Sequence, residues 1–191
     1  MEPKNEQHSK YQKKIFTIPN ILSFFRLCLI PVIAWLYASE HNYLLAGIIL
    51  ILSGITDVAD GFIARHFNMV SDLGKILDPV ADKLTQGVML ICLVLRFKLM
   101  LIPLILMAIK EIYMSVSGII IIRRKGVVKS ADWHGKAATF ILDLTMVLHI
   151  FWLEITPAVS TALIAACSVM IIVSFVFYAM RNRDLLKADS Q

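Results

Sequence analysis

The segment TDVADGFIARHFNMVSDLGKILDPVADK, residues 56–83, carries five aspartates between two long apolar runs. Asp57 and Asp60 are three residues apart, and Asp78 and Asp82 are four apart, so on helices each pair shares one face. A single aspartate at the centre of a bilayer costs about 2.5–3.5 kcal/mol on insertion scales. The segment therefore predicts two helix ends that bring four carboxylates together for a functional reason.

The composition is that of an integral membrane protein. Of the 191 residues, 58% are hydrophobic and 17% are charged, and the mean hydropathy is +0.74. Continuous apolar runs favour helices over a barrel, whose strands would alternate apolar and polar residues. The three cysteines lie inside apolar runs, which argues against a disulfide set or a zinc site.

Six apolar segments predict an all-α integral membrane protein with six transmembrane helices. They span residues 21–38, 43–63, 74–95, 99–122, 135–153 and 157–180. We expect a basic cytosolic arm over residues 1–20, a six-helix domain over 21–180 and a cytosolic tail over 181–191.

Basic residues concentrate on one side of these segments, which predicts that both termini and the aspartate-rich loop face the cytosol. The residues on that side are Lys10, Lys13, Lys14, Arg65, Arg123, Arg124, Lys125, Lys129, Arg181, Arg183 and Lys187. The net charge of +5 therefore indicates contact with membrane lipids of anionic head group and with anionic substrates, not with nucleic acid.

The second apolar segment is too short to keep its aspartates at the membrane surface. Tyr43 to Ile55 is 13 residues, or roughly 20 Å of helix, against a hydrocarbon core of about 30 Å. Four carboxylates at this depth would repel one another unless a cation neutralised them. Oxygen ligands select hard ions such as Mg²⁺, Mn²⁺ or Ca²⁺.

Small and cationic residues are interleaved with the acids. Gly61 and Gly74 allow close approach of a ligand or of a neighbouring helix, and Arg65 is suited to a diphosphate or to a cytosolic loop. Asp72, in the sequence SDLG, is expected to start a helix and not to bind metal.

The spacing Asp57-x-x-Asp60-Gly61-x-x-Ala64-Arg65, eight residues, Gly74-x-x-x-Asp78-x-x-x-Asp82 resembles the signature of the CDP-alcohol phosphatidyltransferase family at every position. The stretch IPNILSFFRLCLIP, residues 18–31, resembles the start of its phosphatidylglycerophosphate and cardiolipin synthases. The resemblance implies transfer of a phosphatidyl group from CDP-diacylglycerol to an alcohol, by a homodimer in the bacterial cell membrane.

The resemblance also assigns roles by position. Asp57, Asp60 and Asp78 would hold two divalent ions, Mg²⁺ or Mn²⁺, and Asp82 would bind metal and act as the general base. Contacts to the CDP moiety would come from Gly61, Ala64, Arg65 and Gly74.

The acceptor alcohol is expected to be bound by Lys110, Lys136 and Arg181. Lys110 has the alternative of pairing with Glu111, and Lys136 and Arg181 of anchoring their helices on lipid phosphates. Arg26 is expected either to contact a substrate head group or to snorkel to the membrane interface.

Phosphatidylglycerophosphate synthases typically carry two further cations, at the positions of Gly118 and Ala138. Glycerol 3-phosphate is the first choice of acceptor, and phosphatidylglycerol, as in a cardiolipin synthase, is the alternative. A cation transporter is a third and weaker hypothesis, because the acids lie toward the cytosol beside an arginine.

Aromatic and histidine side chains have simpler interpretations. Trp35, Tyr37, Trp133 and Trp152 lie near segment ends and are expected to anchor the helices at the membrane interface. His134 and His149 are not at metal-ligand spacing, which favours packing or interface roles.

Overall fold

The computed structural model describes residues 18–66, 74–125 and 132–187. Within these ranges the chain forms six α-helices and one 3₁₀ turn, and no β-strand. The helices are α1 (Ile18–Ala38), α2 (Tyr43–His66), α3 (Gly74–Arg96), α4 (Leu101–Lys125), α5 (Trp133–Phe151) and α6 (Pro157–Lys187), with the 3₁₀ turn at Lys98–Met100. The predicted all-helical fold is confirmed, and α6 continues past residue 180.

The chain forms two compact units, Met1–Met89 and Leu90–Gln191. In the first unit α1 packs along α2. The connection is short: His41 takes a φ of 54°, and the Asn42 side chain accepts a hydrogen bond from the Leu45 amide at 3.2 Å, capping α2. Ile33 and Leu36 of α1 and Ala46 of α2 are buried.

In the second unit α6 packs against both α4 and α5. Its buried side chains include Met107 of α4, Leu142 and Ile150 of α5, and Cys167 of α6. His149 is fully buried, with Nδ1 2.8 Å from the Thr145 carbonyl and Nε2 2.9 Å from the Ser160 hydroxyl. Its predicted packing role is confirmed, because this bridge joins α5 to the start of α6.

Three helical stretches are long and apolar enough to cross a bilayer: Asn20–Ala38, Lys98–Arg123 and Pro157–Arg183. The apolar part of α2, Tyr43–Asp57, is shorter, as predicted. Large apolar side chains such as Leu52, Ile119 and Val169 lie exposed along the helices, which suits contact with lipid. The protein is therefore a multi-pass, helical membrane protein.

The aromatic residues at the helix ends divide into two groups. Trp35, Trp133 and Trp152 are exposed, as an interface role requires. The prediction is wrong for Tyr37, which is 2% exposed and packs edge-on against Tyr43 with ring centroids 4.8 Å apart. Residue 37 lies on the face of α1 that carries the buried Ile33 and Leu36, so its ring belongs to the contact with α2.

Candidate active site

One face of α1 carries three buried polar residues in an otherwise apolar helix. Asn20, Ser23 and Arg26 recur every third residue and are 5%, 0% and 2% exposed. Burying polar groups in this way is costly unless they have partners, and a guanidinium group cannot shed its charge. These three residues, called here the polar face of α1, therefore require acidic or polar partners on neighbouring helices.

Those partners are the aspartates of the motif. Arg26 Nη1 donates hydrogen bonds to Asp57 Oδ1 on α2 and, at 2.7 Å, to Asp82 Oδ1 on α3. Ser23 Oγ donates to Asp78 Oδ1. The polar face of α1 therefore gathers one carboxylate from α2 and two from α3.

The contacts confirm that Asp78 and Asp82 share a face of α3. Ser23 and Arg26 are three residues apart on α1, and they reach two aspartates four residues apart on α3. About one turn of α1 therefore lies opposite about one turn of α3. Gly74, at the start of α3, is buried.

Several predicted residues lie outside the described parts of the chain. Asp60, Gly61, Ala64 and Arg65 belong to the backbone of α2, but their side-chain positions are not described. Asp72 falls in the undescribed range 67–73. Of the basic arm predicted over residues 1–20, residues 1–17 are also outside the described ranges, whereas residues 18–20 form the start of α1.

The local charge favours a further cation. Two carboxylates, Asp57 and Asp82, pair with the single guanidinium group of Arg26, and the described partner of a third, Asp78, is the neutral Ser23 hydroxyl. The side chains of Asp57 and Asp82 are 33% and 43% exposed, whereas that of Arg26 is 3% exposed. The oxygen-only donor set fits a hard divalent cation. In the described residues, however, no three acidic, histidine or cysteine groups already surround one metal position, and the Arg26 guanidinium lies between Asp57 and Asp82.

Two of the three predicted acceptor-binding cations have an acidic partner in the second unit. Lys110 is 6% exposed, and its Nζ lies 3.2 Å from Glu111 Oε1. Arg181 Nη1 lies 2.5 Å from Asp132 Oδ2, and its guanidinium covers the Tyr178 ring at 4.9 Å. Lys136 is exposed on the first turn of α5.

Asp132 organises the contact between the start of α5 and the end of α6. Its carboxylate pairs with Arg181 and lies 3.3 Å from His134 Nε2, while its amide donates to the Tyr178 hydroxyl at 3.1 Å. The buried His134 ring also packs edge-on against Tyr178. The packing role predicted for His134 is confirmed.

Gly135 lies directly beneath Tyr178 in this contact. A methyl group at residue 135 would clash with the Tyr178 hydroxyl oxygen and lie 2.9 Å from two ring carbons. We expect Gly135→Ala to destabilise the protein by about 1–3 kcal/mol through overpacking. Thermal unfolding in detergent measures this.

Gly118→Ala is the matched control, since no atom of the described residues lies within 4 Å of a methyl group there. It is expected to be neutral or to stabilise α4 by up to about 1 kcal/mol, because alanine is the better helix former. Equal unfolding temperatures for the two variants would contradict the packing of Gly135 under Tyr178.

Sequence reasoning missed Ser23, and it left the role of Arg26 undecided. The available signal was the three-residue spacing of Asn20, Ser23 and Arg26 inside an apolar segment. It also missed Asp132, the residue before α5, which makes no side-chain capping hydrogen bond and whose carboxylate instead pairs with Arg181.

Comparison with known proteins shows which family the sequence matches. Residues 16–179 match the CDP-alcohol phosphatidyltransferase family. A CDP-diacylglycerol–glycerol-3-phosphate 3-phosphatidyltransferase of Aquifex aeolicus is 31% identical over 175 residues, covering 88% of this chain and 97% of that protein.

Two further relatives are matched over shorter regions. A cardiolipin synthase (CMP-forming) of Streptomyces coelicolor is 38% identical over 136 residues, 68% of this chain and 62% of that protein. A CDP-diacylglycerol–glycerol-3-phosphate 3-phosphatidyltransferase of Rickettsia bellii is 38% identical over 100 residues, 51% of this chain and 55% of that protein. The chain therefore belongs to the CDP-alcohol phosphatidyltransferase family and is a phosphotransferase.

Proposed function

We propose that this protein transfers the phosphatidyl group of CDP-diacylglycerol to glycerol 3-phosphate, releasing CMP and phosphatidylglycerophosphate. The observation that carries the proposal is the convergence of Asp57, Asp78 and Asp82, in the spacing of the family motif, on Ser23 and Arg26. The Aquifex aeolicus relative, matched over nearly its whole length, supports the choice of acceptor.

In this proposal Asp57, Asp60, Asp78 and Asp82 hold two divalent ions, Mg²⁺ or Mn²⁺. When bound, such ions offset the charge of the diphosphate and of the departing CMP. The family uses divalent metal ions, and the oxygen donors on α2 and α3 are the chemical type that these ions require.

Asp82 also serves as the general base. Its side chain is 43% exposed, so an acceptor hydroxyl can reach it. Asp82 takes the hydroxyl proton as the acceptor oxygen forms a bond to the phosphatidyl phosphorus, and the bond from that phosphorus to the CMP oxygen breaks. Gly61, Ala64, Arg65 and Gly74 contact the CDP moiety.

The proposed membrane arrangement has six spans, with both termini and the aspartates on the cytosolic side of a bacterial cell membrane. The concentration of basic residues on one side of the segments supports this orientation. The domain occupies residues 21–180, between the arm over 1–20 and the tail over 181–191, and the enzyme acts as a homodimer.

A cardiolipin synthase that uses phosphatidylglycerol is the second candidate. Lys110 and Arg181 already pair with Glu111 and Asp132, which leaves less positive charge for a small phosphorylated acceptor. Gly118 and Ala138 lack the cations expected of a phosphatidylglycerophosphate synthase. The Streptomyces coelicolor relative is consistent with this alternative.

The deciding experiment is an assay of CMP release by the purified protein in detergent. CDP-diacylglycerol and Mn²⁺ or Mg²⁺ are supplied, and glycerol 3-phosphate, phosphatidylglycerol, inositol phosphate and serine are offered separately. We expect release with glycerol 3-phosphate. Release with phosphatidylglycerol alone would replace the acceptor assignment, and no release with any alcohol would refute the proposed activity.

Gly118→Arg tests the acceptor assignment by adding a positive charge that this chain lacks. Among the described residues, no heavy atom lies within 4 Å of a Cβ atom built at residue 118, so a side chain can start there without a clash, and an arginine supplies the cation that the family resemblance leads us to expect. We expect the KM for glycerol 3-phosphate to fall by about tenfold through a charge-assisted hydrogen bond. Gly118→Gln, polar but uncharged, is the control, and equal effects of the two variants would argue against a phosphate near this position.

A further inference from the structure

The geometry of Arg26 has a consequence for metal binding. The same nitrogen, Nη1, donates to Asp57 Oδ1 and Asp82 Oδ1. Both oxygens belong to residues that the proposed function assigns to divalent ions. A cation that binds both oxygens must therefore take the place of this nitrogen.

The burial of Arg26 makes the pairing strong. The Arg26 side chain is 3% exposed and the Asp57 and Asp82 side chains are 33% and 43% exposed, so solvent reaches the pair only from the carboxylate side. In a metal-free protein Arg26 relieves repulsion between Asp57 and Asp82, and in a metal-loaded protein the same charge opposes the incoming ion. Asp78 is different, because its described partner is the neutral hydroxyl of Ser23.

We propose that Arg26 is a built-in counter-ion that holds Asp57 and Asp82 together without metal and is displaced from them when a divalent cation binds. Arg26 thereby sets the concentration of metal that the enzyme needs. This inference rests on the proposed function, because it takes the aspartates as metal ligands. Arg26 thus acts as a positioning residue for the two aspartates, and it also lowers their affinity for metal.

The test is equilibrium Mn²⁺ binding to the full chain in detergent, without CDP-diacylglycerol, followed by the electron paramagnetic resonance signal of free Mn²⁺. Arg26→Met is expected to bind Mn²⁺ about tenfold more tightly than the wild type, since the competing charge is gone. Arg26→Lys should lie between the two, because a lysine lacks the planar fork of arginine. Arg96→Met is the control, since Arg96 donates to the Leu153 carbonyl, and its Mn²⁺ affinity should equal that of the wild type.

Thermal unfolding supplies a second readout. Metal-free Arg26→Met should unfold at a lower temperature than the wild type, because its aspartates lose their counter-ion, and saturating Mn²⁺ should raise its unfolding temperature by more than it raises that of the wild type. If Arg26→Met does not fold even with Mn²⁺, the affinity of Arg26→Lys decides: a value equal to or weaker than that of the wild type overturns the inference.

CMP release by the wild type separates the two proposals. A wild type that releases CMP and binds Mn²⁺, together with a folded Arg26→Met of unchanged or weaker affinity, overturns the counter-ion role and leaves the proposed function standing. A wild type that neither binds Mn²⁺ nor releases CMP overturns both.

Discussion

Replacing Asp82 with asparagine is expected to lower the rate of CMP release by about three orders of magnitude, within the range that loss of a general base produces. Asparagine keeps the size of the side chain and still accepts the hydrogen bond from Arg26, which spans 2.7 Å in the wild type. What it loses is a carboxylate that can take the acceptor proton. Binding of CDP-diacylglycerol should persist, because Asp57, Asp60 and Asp78 remain.

Two measurements check this prediction: CMP release with saturating glycerol 3-phosphate, and equilibrium binding of CDP-diacylglycerol. Asp143→Asn on α5 is the matched control, since it makes the same chemical change outside the proposed site, and it should keep wild-type turnover. Near-normal turnover of Asp82→Asn would remove the assignment of Asp82 as base. Loss of both turnover and CDP-diacylglycerol binding would assign Asp82 to substrate binding instead.

The helices were predictable because their signal is local. Apolar runs long enough for a membrane segment mark α1, α4 and α6, and the shortness of the apolar run from Tyr43 followed directly from the position of Asp57. The shared face of Asp78 and Asp82 was predictable for the same reason, since four residues make about one helical turn.

The partners of the charged residues were not predictable, because they depend on which helix faces which. The sequence of α1 alone is compatible with Arg26 binding a lipid phosphate, a substrate or a carboxylate. The folded structure shows that its partners are Asp57 and Asp82. Arg181 and Asp132 lie 49 residues apart in sequence and pair only because α5 packs on α6. The periodicity of a single helix carries no information on such contacts.

Lys110→Met is expected to raise the KM for glycerol 3-phosphate by about thirtyfold, the loss of one charge-assisted hydrogen bond to a phosphate. Lys110 is 6% exposed within a membrane helix, where a cation is a candidate for substrate contact. Methionine keeps most of its length and apolar stem. The KM for CDP-diacylglycerol should change little, because Lys110 is assigned to the acceptor alone.

Glu111→Gln distinguishes this role from a structural ion pair. The Lys110–Glu111 pair spans 3.2 Å, so removing the Glu111 charge leaves Lys110 more available to an acceptor phosphate. We expect the KM for glycerol 3-phosphate to stay equal or fall in Glu111→Gln, while it rises in Lys110→Met. If instead both variants lose thermal stability to the same extent and neither changes this KM, the two residues form only a structural pair, and acceptor binding must be assigned elsewhere. If Lys110→Met raises the KM for phosphatidylglycerol as much as the KM for glycerol 3-phosphate, the lysine binds the phosphate group that both alcohols carry.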